Sequence, residues 1–121
     1  MMIVYTYSSC DTCRRATRWL KARGIEFEEV PIRQTPPSGK ELKAALRYFD
    51  GDRRRLFNTS GRDYREQKLS EKLPSLSDAA IFSLLSANGN LVKRPFVVAD
   101  PVYLAGFDEE RWSQVLPPLS D

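Results

Sequence analysis

Ile3-Val4-Tyr5-Thr6-Tyr7-Ser8-Ser9-Cys10-Asp11-Thr12-Cys13-Arg14-Arg15-Ala16 is the stretch whose reading decides the fold. Residues 3–7 are apolar and rich in strand formers. Ser8-Ser9-Cys10 is a polar turn. From Asp11 to Arg23 the spacing predicts a helix, because Ala16, Trp19, Leu20 and Arg23 recur at helical intervals with arginine and lysine on the other faces. Asp11 suits a first helical turn and Gly24 a C-terminal stop. Residues 25–30, Ile-Glu-Phe-Glu-Glu-Val, partly alternate as a half-buried strand does. Residues 3–30 therefore predict strand, helix, strand, which is a βαβ unit.

Beyond this unit the pattern turns helical. Pro36-Pro37-Ser38-Gly39-Lys40-Glu41 begins a helix, and Ser38 and Glu41 stand at capping-box spacing. Leu42, Ala45, Leu46 and Phe49 form its apolar stripe, and Asp50-Gly51 stops it. A short helix is expected over Arg53–Phe57, a loop over Asn58–Gly61, and another turn or two of helix over Asp63–Leu69. Ser77-Asp78 starts a clearer helix, carried by Ala80, Ile81, Leu84 and Leu85 and ended by Asn88-Gly89-Asn90. Phe96–Ala99 and Val102–Ala105 read as a tight β-hairpin through Asp100-Pro101, with the proline tolerated at a strand start. A last helix is expected over Glu109–Leu116, stopped by Pro117-Pro118. The expectation is one domain over residues 1–121, with a helical insertion at about 36–90 between the βαβ unit and a C-terminal hairpin plus helix.

Composition narrows the chemistry. The chain has 121 residues and reads as an ordinary soluble domain, 41% hydrophobic and 29% charged. No apolar run approaches the roughly 18 residues that span a bilayer. The start, Met1-Met2-Ile3-Val4-Tyr5-Thr6, has no basic n-region, so no signal peptide is read and a cytoplasmic location is expected. The net charge of +3 is mild, and acidic residues dilute the basic run between Gly51 and Lys68. A solvated helical face explains that run, and no direct nucleic-acid partner is expected. The chain contains no histidine and only two cysteines. That excludes Cys-His and Ser-His-Asp activation and argues against a metal site, since structural zinc takes four ligands.

The two cysteines remain. At a helix start, backbone N–H groups point at Cys10 with partial positive charge. Arg14 and Arg15 add cations nearby, and the setting favours thiolate over thiol. Cys13, one turn further on, is more covered and can attack a mixed disulfide formed on Cys10. Cys10 is then the nucleophile and Cys13 the resolving thiol. The bland alternative is two cysteines that merely pack. Lys93-Arg94-Pro95 stands just before a strand. Either Arg94 is a surface charge and Pro95 a strand punctuator, or Arg94 binds an anion beside a cis Pro95; spacing alone leaves both open.

The chain resembles the ArsC/Spx family of arsenate reductases, Spx-type transcription regulators and their relatives. The resemblance rests on residues 5–16, Trp19-Leu20, Gly24-Ile25, Leu56-Phe57-Asn58-Thr59-Ser60-Gly61, Lys93-Arg94-Pro95 and Gly106-Phe107. It implies an α/β, thioredoxin-like fold with a helical insertion. It further implies a nucleophile at Cys10, an anion-binding Arg94 and a cis Pro95, with Thr12 at the same binding site. The sequence departs from the glutaredoxin-coupled arsenate reductases in four ways. No histidine lies between Tyr5 and Ser9; no arginine lies within Leu56–Ser60, where the nearest are Arg55 and Arg62; none lies within Leu104–Phe107; and a second cysteine, Cys13, is present.

Two functions from different classes follow from the resemblance. One is a thiol–disulfide redox protein working through Cys10 and Cys13, a glutathione-dependent thiol reductase with glutaredoxin or thioredoxin as further candidate partners and no bound cofactor. The other is a redox-switched regulator that docks on the RNA polymerase α subunit through the region of Gly51. True arsenate reduction ranks last, because of the departures above. A monomer is expected.

Overall fold

A computed structural model describes residues 2–116. The predicted βαβ unit is present as β1 (Met2–Thr6), α1 (Asp11–Ala22) and β2 (Phe27–Pro31). β2 begins two residues later than the alternation suggested. Gly24, at φ +72°, turns the chain, and the Ile25 N–H donates to the Leu20 carbonyl at the end of α1. Ile25 thus belongs to the helix stop, and its side chain packs beside the α1 core.

The middle of the chain holds α2 (Gly39–Tyr48), α3 (Arg62–Glu66), α4 (Leu69–Lys72) and α5 (Asp78–Ala87), with 3₁₀ turns at Arg53–Leu56, Leu73–Ser75 and Gly89–Leu91. The Ser38–Glu41 capping box forms in both directions. The single run expected over Asp63–Leu69 is instead two short helices, because Lys68 takes a left-handed φ of +53° between them. The chain then enters β3 (Phe96–Ala99), β4 (Val102–Ala105) and α6 (Glu109–Val115). Pro101 falls in the hairpin turn, one residue before β4. The expected stop at Pro117-Pro118 lies outside the described residues.

The four strands form one sheet in the order β2-β1-β3-β4. β1 and β2 are parallel, while β1–β3 and β3–β4 are antiparallel. Strand alternation sends side chains to both faces. Met2, Val4, Val97 and Leu104 face α1 and α6, meeting Ala16, Leu20 and Trp112. Tyr5, Phe96 and Tyr103 face the other way and share a core with Leu42, Phe49, Phe57, Ile81 and Leu85. The helical insertion therefore covers one whole face of the sheet. This is the thioredoxin-like arrangement with a helical insertion that the resemblance implies, and it brings the turn after β1 and the approach to β3 to the same end of the sheet.

Candidate active site

Cys10 is the N-cap of α1, and its Sγ accepts a hydrogen bond from the Cys13 N–H at 3.1 Å. A thiol seated there takes one of the N–H groups that a helix start leaves without an intrahelical acceptor. The Cys10 N–H donates to the Tyr7 carbonyl at 3.1 Å, which closes the turn off β1. Cys10 is half-buried and Cys13 is 2% exposed. Both thiols are free, without a disulfide between them. Burial, followed by its contact with Cys10, pushes the Cys13 thiol up to about 12. The Arg94 charge acts on Cys13 in the opposite direction, which places that guanidinium within electrostatic reach of the pair.

Cys10 opens onto a cleft of about 490 Å³. Thr12 and Arg15 of α1 line it, with Asn58, Lys93, Arg94 and the segment 105–108. Three cations, Arg15, Lys93 and Arg94, therefore face one carboxylate, Asp108, across it. The cleft favours an anion next to the thiol.

Several parts of the chain build these walls. The 56–58 segment pairs with 91–93: the Asn58 N–H donates to the Leu91 carbonyl at 2.7 Å, and the Lys93 N–H to the Leu56 carbonyl at 3.0 Å. That pairing carries Asn58 of the insertion to the cleft beside Lys93 and Arg94. The Arg94–Pro95 peptide is cis, and so is Asp100–Pro101. Pro95 is buried and does not line the cleft; its carbonyl accepts the Gly106 N–H at 2.9 Å. Gly106 takes a φ of +80°, and its own carbonyl accepts the Trp112 indole N–H at 3.1 Å. Phe107 stacks edge-on to Trp112 at 4.8 Å between centroids. α6 thus braces the far wall.

The two arginines after Cys13 have separate fates. Arg15 lines the cleft, with its guanidinium 5.9 Å from the Phe107 ring centroid. Arg14 does not line it. Its guanidinium is taken by the Ser8 carbonyl and by Asp11, so of the two cations expected near Cys10 only Arg15 lines the cleft. A helix turns about 100° per residue, so neighbours point apart. Asn58 stands in the Leu56–Gly61 segment of the resemblance but has no role assigned there, because it is the pairing of 56–58 with 91–93 that brings it to the cleft. Asp108 is the local N-cap of α6, and the bend before that helix brings it there. Gly51 lies elsewhere, exposed at φ +83° beyond the end of α2, where it lines two pockets of about 530 and 460 Å³ with Leu46, Phe82, Tyr64 and Leu73 among others. Arg55 stacks on Phe49, Arg62 is an exposed residue of α3, and neither lines the cleft.

Comparison with known proteins shows the family. The chain is 40% identical over 110 residues to the uncharacterised protein YusI of Bacillus subtilis, covering 91% of this chain and 93% of that one. It is 31% identical over 117 residues to the global transcriptional regulator Spx of Listeria monocytogenes, covering 97% and 88%. Among solved structures, an ArsC family related protein from Bacteroides fragilis superposes with a TM-score of 0.87 at 39% identity, over 93% of this chain and 95% of that one. An arsenate reductase from Vibrio cholerae superposes with a TM-score of 0.77 at 25% identity, over 98% and 97%. The model of the ArsC family matches residues 5–115, from within β1 to the end of α6, and the chain belongs to that family.

Proposed function

We propose that this protein is a cytoplasmic thiol–disulfide oxidoreductase in which Cys10 attacks and Cys13 resolves. The observation that carries the reading is Cys10 Sγ capped by the Cys13 N–H at the mouth of a cleft with three cations. In the first step the Cys10 thiolate attacks a substrate disulfide R–S–S–R′. The Cys10–S–S–R bond forms, and R′–S⁻ leaves and takes a proton. In the second step the Cys13 sulfur attacks Cys10, the Cys10–Cys13 disulfide forms, and R–S⁻ leaves with the Cys13 proton. Two glutathione molecules, or one reduced glutaredoxin or thioredoxin, then return the pair to thiols and are themselves oxidised. Arg15, Lys93 and Arg94 suit a carboxylate-bearing partner such as glutathione.

The test is reduction of a glutathione mixed disulfide by excess glutathione, with and without the protein, beside arsenate under glutaredoxin. Turnover that needs Cys10 is expected with the disulfide. Rates no greater than those of glutathione alone would overturn the reading.

A second reading is a redox-switched regulator. It is favoured by the exposed Gly51 and by the Spx relative that spans almost the whole chain. Capture of the RNA polymerase α subunit that changes with Cys10–Cys13 oxidation and is lost in Gly51→Arg would support it. Arsenate reduction is least favoured. Asn58 and residues 105–107 line the cleft where the reductases of the family would supply arginine.

A further inference from the structure

Tyr7 is the last residue before the polar turn that presents Cys10, and its carbonyl holds the Cys10 N–H. Two arginines lie over its half-buried ring. The Arg94 guanidinium carbon lies 5.1 Å from the ring centroid and that of Arg33 lies 3.9 Å from it. Arg33 is itself held. Its Nε donates to the Asn90 side-chain oxygen at 2.6 Å. Asp63 accepts from the Asn88 side-chain amide at 2.9 Å and from that of Asn90 at 3.4 Å. The 88–90 turn is pressed against the chain that carries Arg33: a Cβ on Gly89 would lie 2.0 Å from the Ile32 carbonyl oxygen. A cation held by Asn90 thus lies over the same ring as the Arg94 guanidinium. Among the described residues Arg94 makes no ion pair, so the ring is what its guanidinium meets.

We propose that Tyr7 is a positioning residue whose ring, clamped by Arg33, holds the Arg94 guanidinium at the cleft so that Cys10 reacts preferentially with anionic partners. This rests on the reading of Cys10 as the reacting thiol. The face of an aromatic ring attracts a guanidinium and limits its rotamers. The phenol hydroxyl has no part in this, so phenylalanine should serve as well. Leucine keeps the apolar volume but gives no π face. A cation fixed near the thiolate favours approach of a carboxylate, whereas one free to swing into solvent is screened.

The experiment measures alkylation of Cys10 by iodoacetate and by iodoacetamide in the intact protein, with the sites assigned by peptide mass. Both reagents consume the same thiolate, so their rate ratio cancels the thiolate fraction and reads the local charge. Tyr7→Leu should lower the iodoacetate-to-iodoacetamide ratio by about two- to fivefold, and Tyr7→Phe should retain it. Arg33→Met, a change at an exposed side chain, should lower it in the same direction and serves if Tyr7→Leu fails to fold. A native ratio in Tyr7→Leu and Arg33→Met, with a lowered ratio in Arg94→Ala, would overturn the positioning role and leave the anion-selective cleft intact. A native ratio in Arg94→Ala would overturn both. Loss of the ratio in Tyr7→Phe would also overturn the proposal, because the hydroxyl and not the ring would then be responsible.

Discussion

Cys10 stands at the N-terminus of α1, and Gly51 stands just beyond the C-terminus of α2. Both are turns at helix ends, yet they are assembled in opposite ways. The Gly51 turn is local. Its N–H donates to the Leu46 carbonyl, Asp50 before it has φ +59°, and nothing lies within 4 Å of where a Cβ would sit. The Cys10 cleft is convergent, drawing on α1, the insertion, the approach to β3 and the bend before α6. A glycine whose backbone alone explains it carries little information about function. A thiol whose cleft is lined by three segments distant from its own helix carries much more, since the fold had to be arranged to bring them there.

The sharpest way to break this contrast is Cys10→Ser. Disulfide turnover should fall by at least about 10³-fold, because an alcohol is not ionised at neutral pH whereas a thiol is partly so. The fold and the Gly51 surface should be unaffected in far-UV circular dichroism and limited proteolysis. Residual Cys10→Ser turnover near the native rate would move the chemistry elsewhere.

Cys13→Ser should be milder and different in kind. The first attack survives and the adduct on Cys10 accumulates, visible by intact mass as a stable addition of one glutathione. In the native protein, release of that adduct should quicken by about tenfold per pH unit between pH 6 and 9. Burial, the largest cause of the rise in Cys13, persists when Cys10 is in the adduct, so Cys13 stays mostly protonated and its small thiolate fraction grows with pH. A release rate independent of pH would show that an external thiol, not Cys13, resolves the adduct.

Gly51→Arg probes the other region. A side chain at φ +83° should cost about 1–2 kcal/mol of stability, read as a lower midpoint in urea. Cys10 alkylation should stay within about twofold of native, since Gly51 does not line the cleft. A large change in Cys10 reactivity would couple the two regions and remove the contrast between them.

Ser38→Ala should have the smallest effect. It removes one half of the capping box and should cost about 1 kcal/mol. The other half is buttressed from the sheet, because the Tyr5 hydroxyl donates to the same Glu41 oxygen that accepts the Ser38 N–H. Burial and Glu41 together raise the Tyr5 phenol, so this bond stays intact well into the alkaline range. Unfolding midpoints of Ser38→Ala and Tyr5→Phe, alone and combined, would show whether the two anchors of α2 are additive.

By itself the sequence determined what short-range physics determines. The βαβ start, the cysteine pair at a helix N-terminus, the Ser38–Glu41 box and the hairpin after Arg94-Pro95 all rest on residues within a few positions of one another. Alternation, helical spacing and capping are written in that range. The tertiary structure decided the rest. It lined one cleft with Cys10, Arg15, Lys93 and Arg94, brought Asn58 of the insertion beside Lys93, and placed the Arg33 and Arg94 guanidiniums over the Tyr7 ring. These depend on segments tens of residues apart being pressed together, as Gly89 is against Ile32. No local pattern encodes such an approach, because the interactions that reward it exist only once the sheet has both of its faces covered.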